Sequence, residues 1–120
     1  MSILMSCGDT AFGALLGDAI RDNLGLDVCY CPGLTPNEKH LGKYVPICIV
    51  LVTNFPTDED VVTIGCKWEK LFPNTPIIWC DLVGSTDPRH SCLRNTSWLR
   101  VDPWCRPFST LVEGIRQRIR

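Results

Sequence analysis

Short runs of β-type residues alternate with helix-type segments from one end of the chain to the other, and few architectures accept that order. Ile3–Ser6, Leu26–Cys31, Ile47–Val52, Thr75–Asp81 and Trp98–Val101 are brief apolar runs bounded by Gly, Pro, Asn or Asp, the pattern of buried strands. Between the first two, Phe12, Leu15, Leu16, Ala19 and Ile20 recur at helical spacing and predict one buried helix face. Asp9 or Thr10 is its N-cap and Gly25 its stop. Thr35–Leu41 has room for one short helix. Thr57–Asp60 has the capping-box arrangement ahead of Val61, Ile64, Gly65, Trp68, Leu71 and Phe72, and Pro73 ends that helix. Residues 84–95 are polar and hold at most a short helix. Ser109 is the expected cap of a final helix whose Leu111, Val112, Ile115 and Ile119 oppose Glu113, Arg116 and Arg118. The order βαβαβαβαβα predicts an α/β fold with a parallel sheet covered on both faces.

The 120 residues suit one domain spanning 1–120, and 45% hydrophobic content with a net charge of −1 excludes a disordered chain. No apolar run approaches the roughly 18–20 residues of a membrane helix. The first six residues lack the basic stretch of a secretory leader, so a cytoplasmic protein is expected. Balanced charge offers no general attraction for nucleic acid or anionic lipid. Eight cysteines admit either disulfides or reduced thiols. Cys48 and Cys80 sit inside apolar runs and no C-x-x-C pair occurs, which favours buried thiols. Cys29 and Cys31 form a C-x-C pair expected to lie on opposite faces of its strand.

In a sheet of this kind, functional residues gather at the carboxyl ends of the strands. Those ends bring Cys7-Gly8-Asp9, Thr53-Asn54-Phe55, Asp81-Leu82 and Cys105-Arg106-Pro107 into question. The terminal segment Arg106-Pro-Phe-Ser-Thr-Leu-Val-Glu-Gly-Ile-Arg-Gln-Arg-Ile119 resembles the "Lys-Pro-Phe" and closing helix of response-regulator receiver domains. The opening Ile3-Leu-Met-Ser-Cys-Gly-Asp-Thr10 is similar to that family's "Ile-Leu-Ile-Val-Asp-Asp-Asp". The resemblance implies a flavodoxin-like (βα)5 three-layer sandwich with a five-stranded parallel sheet in the order 2-1-3-4-5.

A receiver of the ordinary kind holds a magnesium ion on two acids after the first strand and accepts a phosphoryl group on an aspartate ending the third. A Thr or Ser and a Lys at the next strand ends bind the phosphoryl oxygens, so that metal and ammonium neutralise charge during transfer. Here the acid pair falls on Cys7 and Gly8, with Asp9 just beyond. The acceptor falls on Val52 or Thr53, the Thr/Ser position on Asp81 and the lysine on Arg106. What the resemblance implies is therefore a degenerate phosphorylation pocket made of Cys7, Gly8, Asp9, Val52, Thr53, Asp81 and Arg106. Asp9 and Asp81 are the carboxylates left for a metal, and Asp9 also serves as a helix cap. No metal or other cofactor is expected, and His40 and His90 stand in separate polar loops. An Asp81–Arg106 ion pair is expected to fill the vacated site.

Residues 94–120 hold six arginines and two acids. In the resembled family the fourth helix, fifth strand and fifth helix form the face that meets partners. Trp98, Arg100, Trp104 and Arg116 map there, and Trp with Arg is a hot-spot composition. The expected function is a pseudo-receiver, not an enzyme, acting on a signalling partner or a second copy of itself without phosphorylation. Two alternatives stand beside it. One is a working phosphorelay receiver with a displaced acceptor, attached in some proteins to a transcriptional output domain. The other is a thiol-based redox sensor using Cys7 or Cys105.

Overall fold

The computed structural model describes residues 2–7, 10–32, 36, 45–53, 61–81, 95–100 and 107–119. Its elements are β1 (Ser2–Cys7), α1 (Thr10–Leu24), β2 (Asp27–Pro32), β3 (Cys48–Thr53), α2 (Val61–Leu71), β4 (Ile77–Asp81), β5 (Thr96–Arg100) and α3 (Pro107–Arg118). All five strands run parallel in one sheet of order β2-β1-β3-β4-β5. This is the flavodoxin-like arrangement that the alternation and the resemblance imply. The short helices expected within Thr35–Leu41 and 84–95, and the capping box at Thr57–Asp60, lie outside the described residues. No described helix is long and apolar enough to cross a membrane.

Strand alternation divides the core into two layers. Ile3, Met5, Cys7, Val28, Cys48, Val50, Val52, Ile78 and Cys80 face α1 and α3, where they meet Leu16, Ile20, Val112 and Ile115. Leu4, Cys31, Ile49, Leu51, Ile77 and Trp79 form the opposite layer with Ile64, Trp68 and Phe72 of the α2 segment. Central strands buried on both faces read as continuous apolar runs, as Cys48–Val52 does. Cys29 packs in the same layer as Cys31. The expectation that they diverge is corrected by the two-residue period of a strand, which puts i and i+2 on one face.

Two helix assignments also change. Leu15 is 61% exposed, although its spacing placed it on the buried face of α1. The stripe of α1 that turns inward is Gly13, Leu16, Gly17 and Ile20, with both glycines buried. Leu15 stands about 100° around the helix from Leu16 and so reaches solvent. α3 begins at Pro107, two residues before Ser109, so the expected cap lies inside the first turn. Proline suits that place because the first-turn N–H groups have no intrahelical partner and its φ is already helical. The other end of α1 agrees with its sequence: Gly25 has φ 66° and its N–H donates to the Arg21 carbonyl at 2.9 Å.

The glycines of α1 make room for Tyr30 of the edge strand β2. The Tyr30 hydroxyl donates to the Gly13 carbonyl at 2.5 Å. A methyl group at Gly13 would meet Cys7 Cβ and Tyr30 Cε1 at 3.4 Å, ordinary contact, whereas one at Gly17 would overlap the Tyr30 hydroxyl. Alanine at 17 improves helix propensity by about 1 kcal/mol, but overpacking against a tethered ring costs about 1–3 kcal/mol, and the tether itself about 1 kcal/mol. Gly17→Ala is therefore expected to destabilise the chain in urea unfolding. In a Tyr30→Ala background the same substitution becomes neutral or stabilising. An unchanged sign in both backgrounds would refute this packing account.

The amino-terminal edge of the sheet is closed by hydrogen bonds that leave the strands. Ile47 N–H donates to Ser2 O at 3.0 Å, Ile49 N–H to Pro76 O at 2.9 Å, and Ile77 N–H to Asn95 O at 2.9 Å. Glu69, near the end of α2, accepts from Asn95 N–H at 3.1 Å and from the Thr96 hydroxyl at 2.6 Å. The Asn95 amide also donates to Pro73 O. One carboxylate thus ties α2 to the first residue of β5 by charge-assisted bonds.

Candidate functional site

The carboxyl ends of the strands are ordered in two register rows. Cys7 pairs with Val52, Val52 with Cys80, and Cys80 with Leu99. One step further out, Thr53 pairs with Asp81 and Asp81 with Arg100. The first row gives the site its floor. Val52 and Cys80 are fully buried and Cys7 is 5% exposed, all packed in the layer beneath α1 and α3. Such burial follows from the sequence on either side, since each strand arrives as an apolar run whose residue in this row lies on the covered face.

Val52 and Cys80 give this floor no formal charge at neutral pH. Burial pushes the Cys80 thiol up, and the neighbouring Cys48 and Cys7 thiols add to the shift by repelling a second negative charge. Burial likewise pushes Cys48 up to about 12, partly opposed by a backbone hydrogen bond from Ile49. Thiols held protonated are poor nucleophiles and poor metal ligands. None of the six described cysteines is in a disulfide. Among the described residues, no group of three or more His, Cys, Asp or Glu is placed to hold a metal ion.

The expected pocket residues thus separate. Cys7, Val52, Thr53 and Asp81 come together at neighbouring strand ends. Gly8, Asp9 and Arg106 lie outside the described residues, as do Cys105, His40 and His90, so the Asp81–Arg106 pair falls there too. Of the expected interaction face, Trp98 and Arg100 lie on β5 and Trp104 lies outside the described residues. Arg116 lies on α3, where its guanidinium donates to Glu113 at 2.8 Å in an exposed pair one turn apart. Such a pair contributes only a few tenths of a kcal/mol (~0.3–0.5) and leaves the guanidinium available to a partner.

Two features of the site were not read from the residues. Arg100, assigned to the interaction face, occupies the strand-end row beside Asp81. The signal was available: Ile-Ile-Trp-Cys-Asp81 and Thr-Ser-Trp-Leu-Arg100 both close an apolar-centred run on a charge. The second is Tyr30, whose ring lies against the α1 glycines beside Cys7. Burial raises its phenol pKa; Arg21 opposes the rise, while Asp18 and Cys7 add to it, so the hydroxyl remains a donor.

No protein-family model matches this chain, and no curated protein matches it in sequence. Solved structures do match it in fold. A response regulator receiver protein from Sinorhizobium medicae WSM419 superposes with a TM-score of 0.73 at 14% identity, over 99% of this chain and 94% of that one. A CheY-like response regulator receiver domain protein from Methanospirillum hungatei JF-1 gives 0.72 at 17% identity, over 98% of this chain and 92% of its own. A lysine decarboxylase from Francisella novicida gives 0.68 at 14% identity, over 98% of this chain but only 17% of the enzyme. The chain therefore has the fold of response-regulator receiver domains, a fold also present as a part of at least one enzyme.

Proposed function

We propose that this chain is a pseudo-receiver: a receiver-fold signalling module that works by protein–protein contact without aspartyl phosphorylation. The observation that carries the reading is the floor of Cys7, Val52 and Cys80, buried and without a carboxylate where phosphoryl chemistry needs one. Phosphoryl transfer to an aspartate requires an acceptor oxygen and a divalent cation to spread the developing charge. A buried valine supplies no such oxygen, and a protonated buried thiol no site for the cation. The partner is a signalling protein or a second copy, met through the β5 and α3 side where Trp98, Arg100, Trp104 and Arg116 fall. The module is cytoplasmic and needs no cofactor.

The test is incubation with magnesium and a small acyl phosphate, followed by intact-mass measurement. We expect the mass to stay unchanged over hours, while an ordinary receiver in the same tube gains a phosphoryl group. A gain by this chain would overturn the proposal and identify a phosphorelay receiver with its acceptor displaced from Val52 and Thr53.

A further inference from the structure

We infer that the partner is a second copy of this chain, met through the outward face of α1 and α3, with α1 of each copy lying against α3 of the other. The inference rests on the protein-contact part of the reading above and extends the face from α3 to α1. The two helices cover the same core layer, where Leu16 and Ile20 meet Val112 and Ile115. Leu24 and Ile119, at their carboxyl ends, pack against that layer as well. Each helix follows the carboxyl end of a strand, α1 after β1 and α3 after β5. Both therefore run back along the sheet, side by side and in the same direction.

The outward face of α1 carries an apolar residue and acids that its own fold does not use. Ala11, Leu15, Asp18 and Asp22 recur at i, i+4, i+7 and i+11, all exposed, opposite the buried stripe of Gly13, Leu16, Gly17 and Ile20. Leu15, the one large apolar side chain of this stripe, is 61% exposed. Asp22 gains nothing from its own helix. It lies in the last turn, where the macrodipole disfavours an acid, and four residues from Asp18, where like charges repel. Asp18 has Arg21 at 2.8 Å, whereas Asp22 has no ion pair or hydrogen bond among the described residues. α3 has the opposite balance, with Arg116 and Arg118 in its last turn and Glu113 as its acid. Arg116 is paired with Glu113, while Arg118 is exposed and without a partner among the described residues.

Parallel helices with opposite unpaired charges make this face complementary to itself. A two-fold axis along the helices lays α1 of one copy on α3 of the other with their last turns at one level. Asp22 then meets Arg118 of the second copy, and symmetry makes the contact twice. Two helices on two helices form a small interface, so the dimer is a weak one.

Sedimentation velocity on the whole chain, from about 10 µM to about 1 mM, tests the inference. Wild type is expected to pass from monomer toward dimer over that range in ~20 mM salt, and less so in ~500 mM, where the ion pairs are screened. Leu15→Lys should remove the dimer. Asp22→Arg and Arg118→Asp should each weaken it about tenfold or more, and the two together should restore it, since the exchanged charges attract again. The three positions are exposed, so the circular dichroism of every variant should match wild type. A monomer at every concentration would overturn the inference. So would a dimer indifferent to these substitutions, which would place the contact on another face, or a double variant that stays as weak as the single ones. Phosphorylation of the chain would refute the pseudo-receiver reading whatever its mass in solution, and a monomer would leave that reading standing.

Discussion

Val52→Asp is expected to lower stability by about 3–5 kcal/mol at neutral pH, the cost of a buried charge without a partner. It is the substitution that would put the acceptor carboxylate back at one of its two aligned positions. The residue is fully buried, and its register partners are Cys7 and Cys80, neither of which offers a positive charge. Burial raises the pKa of such an aspartate above the unfolded value, so the charged form is disfavoured in the folded state. The sign then follows. The ionisation penalty is absent below about pH 4, the unfolded pKa, and grows as pH rises toward the folded pKa. Urea unfolding of the variant between pH 4 and 8 measures it against Val52→Asn, which is polar but does not titrate. A deficit that stays flat across that range would show that the floor is wetter than its burial indicates.

Trp68→Ala is expected to cost about 3–5 kcal/mol at any pH, the range for removing a large aromatic from a packed core. Trp68 is fully buried on α2, stacked on Phe72 with ring centroids 6.3 Å apart and planes 21° from parallel. It belongs to the layer holding Leu51, Ile77 and Trp79. Because a domain of this size holds only about 5–15 kcal/mol in total, the loss takes a large part of it. Trp68→Phe should recover roughly half, as the ring stack survives while the volume does not. Thermal melts of the two variants beside wild type check this. A loss under about 1 kcal/mol for alanine would mean that α2 repacks, contrary to the close-packed layer described.

The strands were legible because burial on both faces leaves an unmistakable composition: Ile77-Ile-Trp-Cys and Cys48-Ile-Val-Leu-Val admit little else. The Trp68 and Ile115 helices were legible for the related reason that their apolar positions repeat at helical spacing. Leu15 was misplaced because part of the inward stripe of α1 consists of Gly13 and Gly17. A glycine that accommodates Tyr30 contributes no hydrophobic signal to a periodicity count. Ser109 was misplaced because a good cap residue followed a proline that already suited the first turn. That Arg100 pairs with Asp81 was not legible in the run Trp98–Val101 that marked the fifth strand. Pairing depends on contacts between segments distant in sequence, and no local window holds that information. The neutrality of the floor was half legible: Cys7 and Val52 were visibly not acids, but that Cys80 adjoins Val52 emerges only from register.

The hydrogen bonds around Glu69 and Asn95 couple the segments of the amino-terminal rim to one another. At the amino-terminal rim, Ser2, Pro76, Asn95 and Thr96 are held by bonds that cross from one segment to the next, so displacing any one disturbs its neighbours. That rim is where the last amides to exchange with deuterium should be found, since opening it requires several contacts to fail together. A graft of foreign sequence placed there would have to replace the bonding of a whole chain of partners.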